Sequence, residues 1–226
     1  MPESESRRRR RVDLSLVILD RAVRRRDPYG DALAALSDWA GSGSLGWGQP
    51  LATTDIAAAL GLSPTPVREA LARLAGEGVI EHRRGRGYYA PSLTRTDISN
   101  LYQLHAHLVG AQSLEIRPSG AVEAYEGGGE ILQLERLFGL IVRQRAGDGF
   151  ATELRRCAAR LRPIRVVEAS LGRLDLPLAM AIERGVRTGD DLAAVRASHA
   201  YHTSRMADAA IVEEVLRSRG ESILQI

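Results

Sequence analysis

Residues 53–86 read TTDIAAALGLSPTPVREALARLAGEGVIEHRRGR, and the order of residue types along them dictates two short helices, a tight turn and a hairpin. Thr54 to Leu60 places Ile56, Ala57 and Leu60 on one side of a helix, and Gly61 supplies the left-handed conformation that ends it. Leu62 makes the turn and Ser63 is placed as an N-cap acceptor. A second helix runs from about Pro64 to Ala75, with Val67, Ala70, Leu71 and Leu74 as its apolar stripe. Pro64 and Pro66 fall in its first turn, where the amides lack intrahelical acceptors in any case, so proline there marks a start. Thr65, Arg68, Glu69 and Arg73 lie off the stripe and face outward. After Gly78, the run VIEHRR, the glycine turn at 85–87 and YYA predict two short strands, a wing tipped by Arg83, Arg84 and Arg86. Composition and spacing define a winged helix-turn-helix, whose second helix is the element that enters the major groove.

From Leu51 to Tyr89 the pattern LxxxDIAxxLGLSxTPVREALxRLxxEGVIExRxxRGY resembles the winged-helix DNA-binding domain of the GntR family of bacterial transcription regulators. The resemblance implies a double-stranded operator as partner. Its contact candidates are Thr54, Ser63, Thr65, Pro66, Arg68 and Arg73 on the helix-turn-helix, and Arg83, Arg84, Arg86 and Gly87 on the wing. Pro64 and Thr54 stand where the family frequently has arginine, so the operator is expected to differ from the common family sequence.

A chain of 226 residues has room for a second core beside such a module. The reading divides it into a basic arm with an extra helix at 1–26, the winged domain at 27–92 and a helical domain at 93–226. All 31 basic residues are arginine. Nine of them fall in residues 1–26 against Glu3, Glu5, Asp13 and Asp20, a net of +5 within a total of +3, so the remainder carries −2. The arm is therefore expected to lie along DNA phosphates or to be a solvated tail. Apolar runs are far short of the roughly 20 residues that span a bilayer, and no cleavable signal pattern follows the N-terminus, so no membrane partner and a cytoplasmic location are expected. A single cysteine, Cys157, excludes an intramolecular disulfide framework.

Leu14, Val17, Ile18 and Ala22 at helical spacing predict the extra helix, and Tyr29 to Trp39 the next, with Leu33, Leu36 and Trp39 inward. Leu51 is read as an edge strand pairing with the wing. Thr94 caps a long helix over Arg95 to Ile116, with Ile98, Leu101, Leu104, Leu108 and Leu114 as its stripe. The remaining helices are expected at about Glu130 to Arg145, Phe150 to Leu161, Ile164 to Leu171, Leu176 to Thr188, Asp190 to Met206 and Ala209 to Arg219. The fold class is mainly α: a winged helix-turn-helix with a small β wing, then an all-α helical bundle.

That layout resembles the FadR-like branch of the family, which implies a dimerising bundle that binds small carboxylates, often through a metal held by one aspartate and three histidines. GDDLAAVRASHAYH resembles the branch's segment in which a histidine follows an acidic residue by eleven, which puts His202 on a ligand position. Eleven before Asp191 stands Met180, and the branch's aspartate and histidine four apart fall on Glu153 and Cys157. The branch's carboxylate-binding arginine is His105 here. Methionine is a soft, neutral replacement for imidazole, so a degenerate site with no metal or other cofactor is expected. The effector-pocket candidates are His105, Glu153, Cys157, Met180 and His202.

These readings converge on a homodimeric repressor modulated by a small-molecule effector, with a carboxylate as the implied class. The alternatives are a DNA-binding dimer without an effector, or an enzyme with a DNA-binding appendage. The sequence shows no nucleophile elbow, phosphate-cradling loop or paired catalytic motif, and Gly127-Gly128-Gly129 reads as a linker, so no enzymatic activity is expected.

Overall fold

The computed structural model describes residues 27–110 and 129–223. The expected basic arm and extra helix at 1–26, and the end of the long helix beyond 110, lie outside them. The N-terminal part runs α1 (Pro28–Ser42), β1 (Pro50–Leu51), α2 (Thr53–Leu60), α3 (Pro64–Gly76), β2 (Glu81–Arg83) and β3 (Gly87–Tyr89). Asp27 caps α1 by accepting the Gly30 N–H at 3.0 Å, and Pro28 occupies the first turn. Leu36 of α1 is fully buried with Val67, Ala70 and Leu71 of α3. Leu33 and Trp39, expected inward, are only partly buried at the margin of this core, while Ala32 and Ala40 are fully inside.

The three strands form an antiparallel sheet in the order β1-β3-β2. Leu51 pairs with Tyr88, so the short segment after the glycine-rich loop does pair with the wing. Gly61 ends α2 in the left-handed region at φ 63°, and the Leu62 N–H reaches back to the Ala57 carbonyl at 2.9 Å. Ser63 differs from expectation. Its backbone is extended, as an N-cap requires, but its side chain makes no capping hydrogen bond. Pro66, at the third helical position, has already removed one of the two amides that such a cap would satisfy.

The C-terminal part is helical throughout the described residues: α4 (Arg95–Gly110), α5 (Glu130–Ser170), α6 (Leu176–Thr188), α7 (Asp191–Ala207) and α8 (Ala209–Ile223). Thr94 caps α4 as expected. Its Oγ1 accepts the Asp97 N–H at 3.2 Å while Asp97 accepts the Thr94 N–H at 2.9 Å, a reciprocal capping box. The stripe of α4 is Ile98, Leu101, Tyr102, His105, Leu108 and Val109, so Leu104, expected in the core, is 44% exposed. The three- and four-residue steps from Ile98 place His105 on the buried phase and Leu104 beside it.

Two expected helices, at 150–161 and 164–171, are one. α5 continues through Pro163, and its single break is at Gly147, whose φ of 79° and ψ of −177° are not helical. One proline forfeits one backbone hydrogen bond, and packing on both sides of α5 offsets that loss. The bundle core joins α4, α5, α6, α7 and α8 around Phe138, Leu134, Leu161, Ile164, Ile182 and Tyr201. α6 and α7 approach so closely that a Cβ on Gly185 would meet the Ala194 backbone nitrogen at 2.7 Å. No described helix is long and apolar enough to cross a membrane.

Candidate functional site

The outward face of the helix-turn-helix is built by what the core leaves over. Val67, Ala70, Leu71 and Leu74 turn inward, so Thr65, Arg68 and Arg73 on α3 are exposed, with Thr54 and Ser63 beside them and Pro66 partly covered. The wing is closed by Gly85 at φ 74° and by the Arg86 N–H donating to the Arg83 carbonyl at 2.8 Å. Gly87, at φ 91°, opens β3 in a conformation that a side chain would strain. Arg84 and Arg86 are exposed at this tip.

The arginines are not equivalent. Arg83 donates through Nε and Nη2 to Glu81 and stacks 4.1 Å above the Tyr89 ring, so it braces the wing from inside. Arg73 is engaged by Glu77 at 3.0 Å and by the Tyr29 hydroxyl at 3.4 Å. Among the described residues Arg68, Arg84 and Arg86 are exposed and have no ion pair. Helix end and wing tip thus present cations and small polar groups, the chemistry that meets phosphates and base edges.

Two helices joined by a tight turn, with a glycine-turned wing on a three-stranded sheet, define a winged helix-turn-helix. Residues 28–89 match the family model of bacterial regulatory proteins, gntR family. Over those residues the chain carries the DNA-binding domain of that family. Among solved structures it resembles Escherichia coli McbR/YncC at 16% identity and a TM-score of 0.56, over 81% of this chain and 97% of that one. It also resembles a putative GntR transcriptional regulator from Rhodococcus sp. RHA1 at 18% identity and a TM-score of 0.49, over 83% and 96%. No curated protein matches the chain closely enough to stand as a relative.

The bundle encloses a polar centre that sequence reasoning reached only in part. His105 and His202, both buried, approach to 2.8 Å between Nδ1 and Nε2, although they are 97 residues apart in sequence. Arg165, fully buried, places Nη2 3.1 Å from His105 Nε2, and His202 Nδ1 lies 2.7 Å from the Ser198 carbonyl. A guanidinium only donates. His105 Nε2 must therefore accept, its Nδ1–H must donate to His202, and the Nδ1–H of His202 must donate to Ser198. Both rings are neutral in this chain, and each nitrogen has a partner.

Beside it, the Tyr102 hydroxyl donates to Glu168 at 2.7 Å, and Arg205 Nη1 stands 3.8 Å from the other Glu168 oxygen. Arg165, Glu168, Tyr102, Tyr201 and Arg205 were not among the sequence candidates. The available signal was that Arg165 and Glu168 fall on the apolar phase set by Leu161 and Ile164.

The other candidate positions do not join this centre. Glu153 is half exposed and ion-paired to Arg156 at 2.7 Å, and Met180 is 57% exposed. Cys157 is buried with its thiol directed at the Leu101 carbonyl, and burial pushes its pKa up to about 11. Only His105 and His202 meet. No three His, Cys, Asp or Glu side chains among the described residues gather as a metal site, and both imidazoles of the centre have committed nitrogens, so these positions do not fit a divalent ion. The reason is register: α5 runs unbroken past Glu153 and Cys157, and the exposed face of α6 carries Met180.

His202 also forms part of the wall of a cavity of about 510 Å³ between α4, α6 and α7. Ile141, Ile182 and Val186 form its apolar part, Gln103, His107, Ser198, His199 and Thr203 join His202 as its polar part, and no arginine, aspartate or glutamate among the described residues lines it.

Burial sets a pH dependence. It depresses His105 well below the usual imidazole value and His202 to about 4. Imidazoles of the unfolded chain protonate near 6.5, so between about 6.5 and 4 the unfolded state binds more protons and stability falls on acidification. Glu168, pushed by burial up to about 7 from 4.5, opposes this, because across that window its folded form holds the proton. Two imidazoles outweigh one carboxyl. The urea midpoint is expected to fall from pH 6.5 toward pH 4, and less steeply in His202→Gln. A midpoint that is flat or rises over that interval would contradict the neutral histidine pair.

Proposed function

We propose that the chain is a homodimeric repressor of the cytoplasm that reads a two-fold operator and changes affinity when its bundle takes up a small molecule. The observation that carries the DNA-reading part is the exposure of Thr65 and Arg68 at the start of α3 and of Arg84 and Arg86 on the wing, arginines without an ion pair among the described residues. Thr54, Ser63 and the Pro66 ring border the same surface. Arg73 and Arg83 support it through their contacts with Glu77, Tyr29 and Glu81. Two copies are required because one winged domain buries too little surface for a long specific site. Exposed Leu104, Phe150 and Met180 supply apolar surface on the bundle for association. The cavity of about 510 Å³ supports an effector, since it has the size of a small-molecule site. The chemistry at the site requires neither cofactor nor catalytic step.

The test is sedimentation of the full chain alone and with palindromic duplexes selected from random sequence. Two chains per duplex is the expected result. A monomer in both states would refute the dimeric reading.

A further inference from the structure

We propose that the cavity between α4, α6 and α7 binds an uncharged, predominantly apolar small molecule carrying one hydrogen-bonding group, and binds it without a metal ion. The inference rests on the effector-modulated reading above and deepens it by naming the ligand class. Size is the first argument. A volume of about 510 Å³ fits a molecule of about ten to twenty heavy atoms, within the range of small-ligand sites. The apolar part is the second. Ile141, Ile182 and Val186 present only hydrocarbon there and, with Ala106, Val109 and Val195, make the lining predominantly apolar.

The polar side decides the charge. A carboxylate removed from water needs a guanidinium or several donors, and no arginine lines the cavity among the described residues. The buried cation Arg165 donates to His105, which in turn donates to His202, so two neutral rings stand between that charge and the cavity. His202 faces the cavity but has both nitrogens in use, one toward His105 and one toward Ser198, and has no lone pair to give a metal. What remains holds no permanent cation: the Gln103 amide, the Ser198 and Thr203 hydroxyls and, at the exposed margin, the imidazoles of His107 and His199, of which His107 is already held at Nδ1 by the Gln103 carbonyl.

The probe for the test is N-phenyl-1-naphthylamine, which is uncharged, fits the volume and fluoresces in apolar surroundings. Added to the full chain, it is expected to saturate at one molecule per protomer. Val186→Trp, which fills the apolar part, is expected to weaken that binding at least tenfold. Val195→Trp fills the rim, where residue 195 is 53% exposed, and serves if the buried substitution prevents folding. Succinate or citrate, with or without Zn²⁺, is expected to leave the signal unchanged. Absence of saturable binding, binding indifferent to both tryptophan variants, or displacement by a carboxylate with Zn²⁺ would each overturn the proposal. Operator binding is measured on the same preparation. If a carboxylate releases the operator while the neutral probe fails to bind, the ligand class is wrong and effector control stands; if no small molecule alters operator binding, effector control itself falls.

Discussion

Arg165→Met is expected to lower the stability of the bundle by about 3–5 kcal/mol, the cost of breaking a buried charged network by removing one partner. Methionine is long enough to occupy most of the space, so the loss is electrostatic rather than a cavity effect. Without the guanidinium, His105 Nε2 loses its donor, and Glu168 keeps Tyr102 and a distant Arg205 but loses the second cation that faces it. Glu135, whose carboxylate stands 3.7 Å from Arg165, still has Arg162, so it contributes little to the effect. Urea unfolding followed by circular dichroism measures the change. The double variant Arg165→Met with His105→Phe is expected to regain part of the loss, because it also removes the orphaned acceptor. A single variant within 1 kcal/mol of the parent protein would show that the buried cation contributes little.

Arg68→Ala is expected to weaken operator binding by about 1–3 kcal/mol, a factor of roughly 5 to 150, if the side chain reaches a base edge. The comparison with Arg73→Ala carries the weight. Both arginines lie on α3 and both are exposed, but Arg73 is tied to Glu77 and Tyr29 whereas Arg68 has no ion pair among the described residues. Arg73→Ala should therefore cost less than Arg68→Ala. The measurement is fluorescence anisotropy with the selected operator and with a scrambled duplex at two salt concentrations. Equal loss on both duplexes would reduce Arg68 to a phosphate contact, and a larger effect from Arg73→Ala would mean that α3 approaches DNA by another face.

The winged domain was legible because its signals are local. Gly61, the proline pair at 64 and 66 and the glycine turn at 85–87 each act within a few residues of themselves, and the structure has a helix end, a helix start and a hairpin there. The bundle was legible only as helices. What was missed depends on partners far away in sequence: His105 finds His202 across 97 residues, and Arg165 finds His105 across 60. Choosing Leu104 over His105 followed hydrophobicity where the three-four step of the helix pointed to the histidine, because a buried imidazole is tolerable only with partners that the local sequence does not reveal. Pro163 misled for a related reason, since its local cost is real and its compensation comes from packing on distant elements.

The C-terminal half of α5 serves both cores at once. Its inner face, Leu161, Ile164 and Val167, belongs to the bundle, while Ala159 packs into the core of the winged domain and Arg162 lies against Gly41 of α1, so close that a Cβ there would meet its Cδ at 2.6 Å. This packing makes the segment a stiff connection between the two cores: a twist of its inner face by repacking within the bundle would be passed to α1 as a tilt, and α3, packed on α1, would be carried with it. In a two-fold pair of such chains, tilts of equal size in the two protomers would change the span between the recognition helices, and span is the quantity that a spaced operator reads.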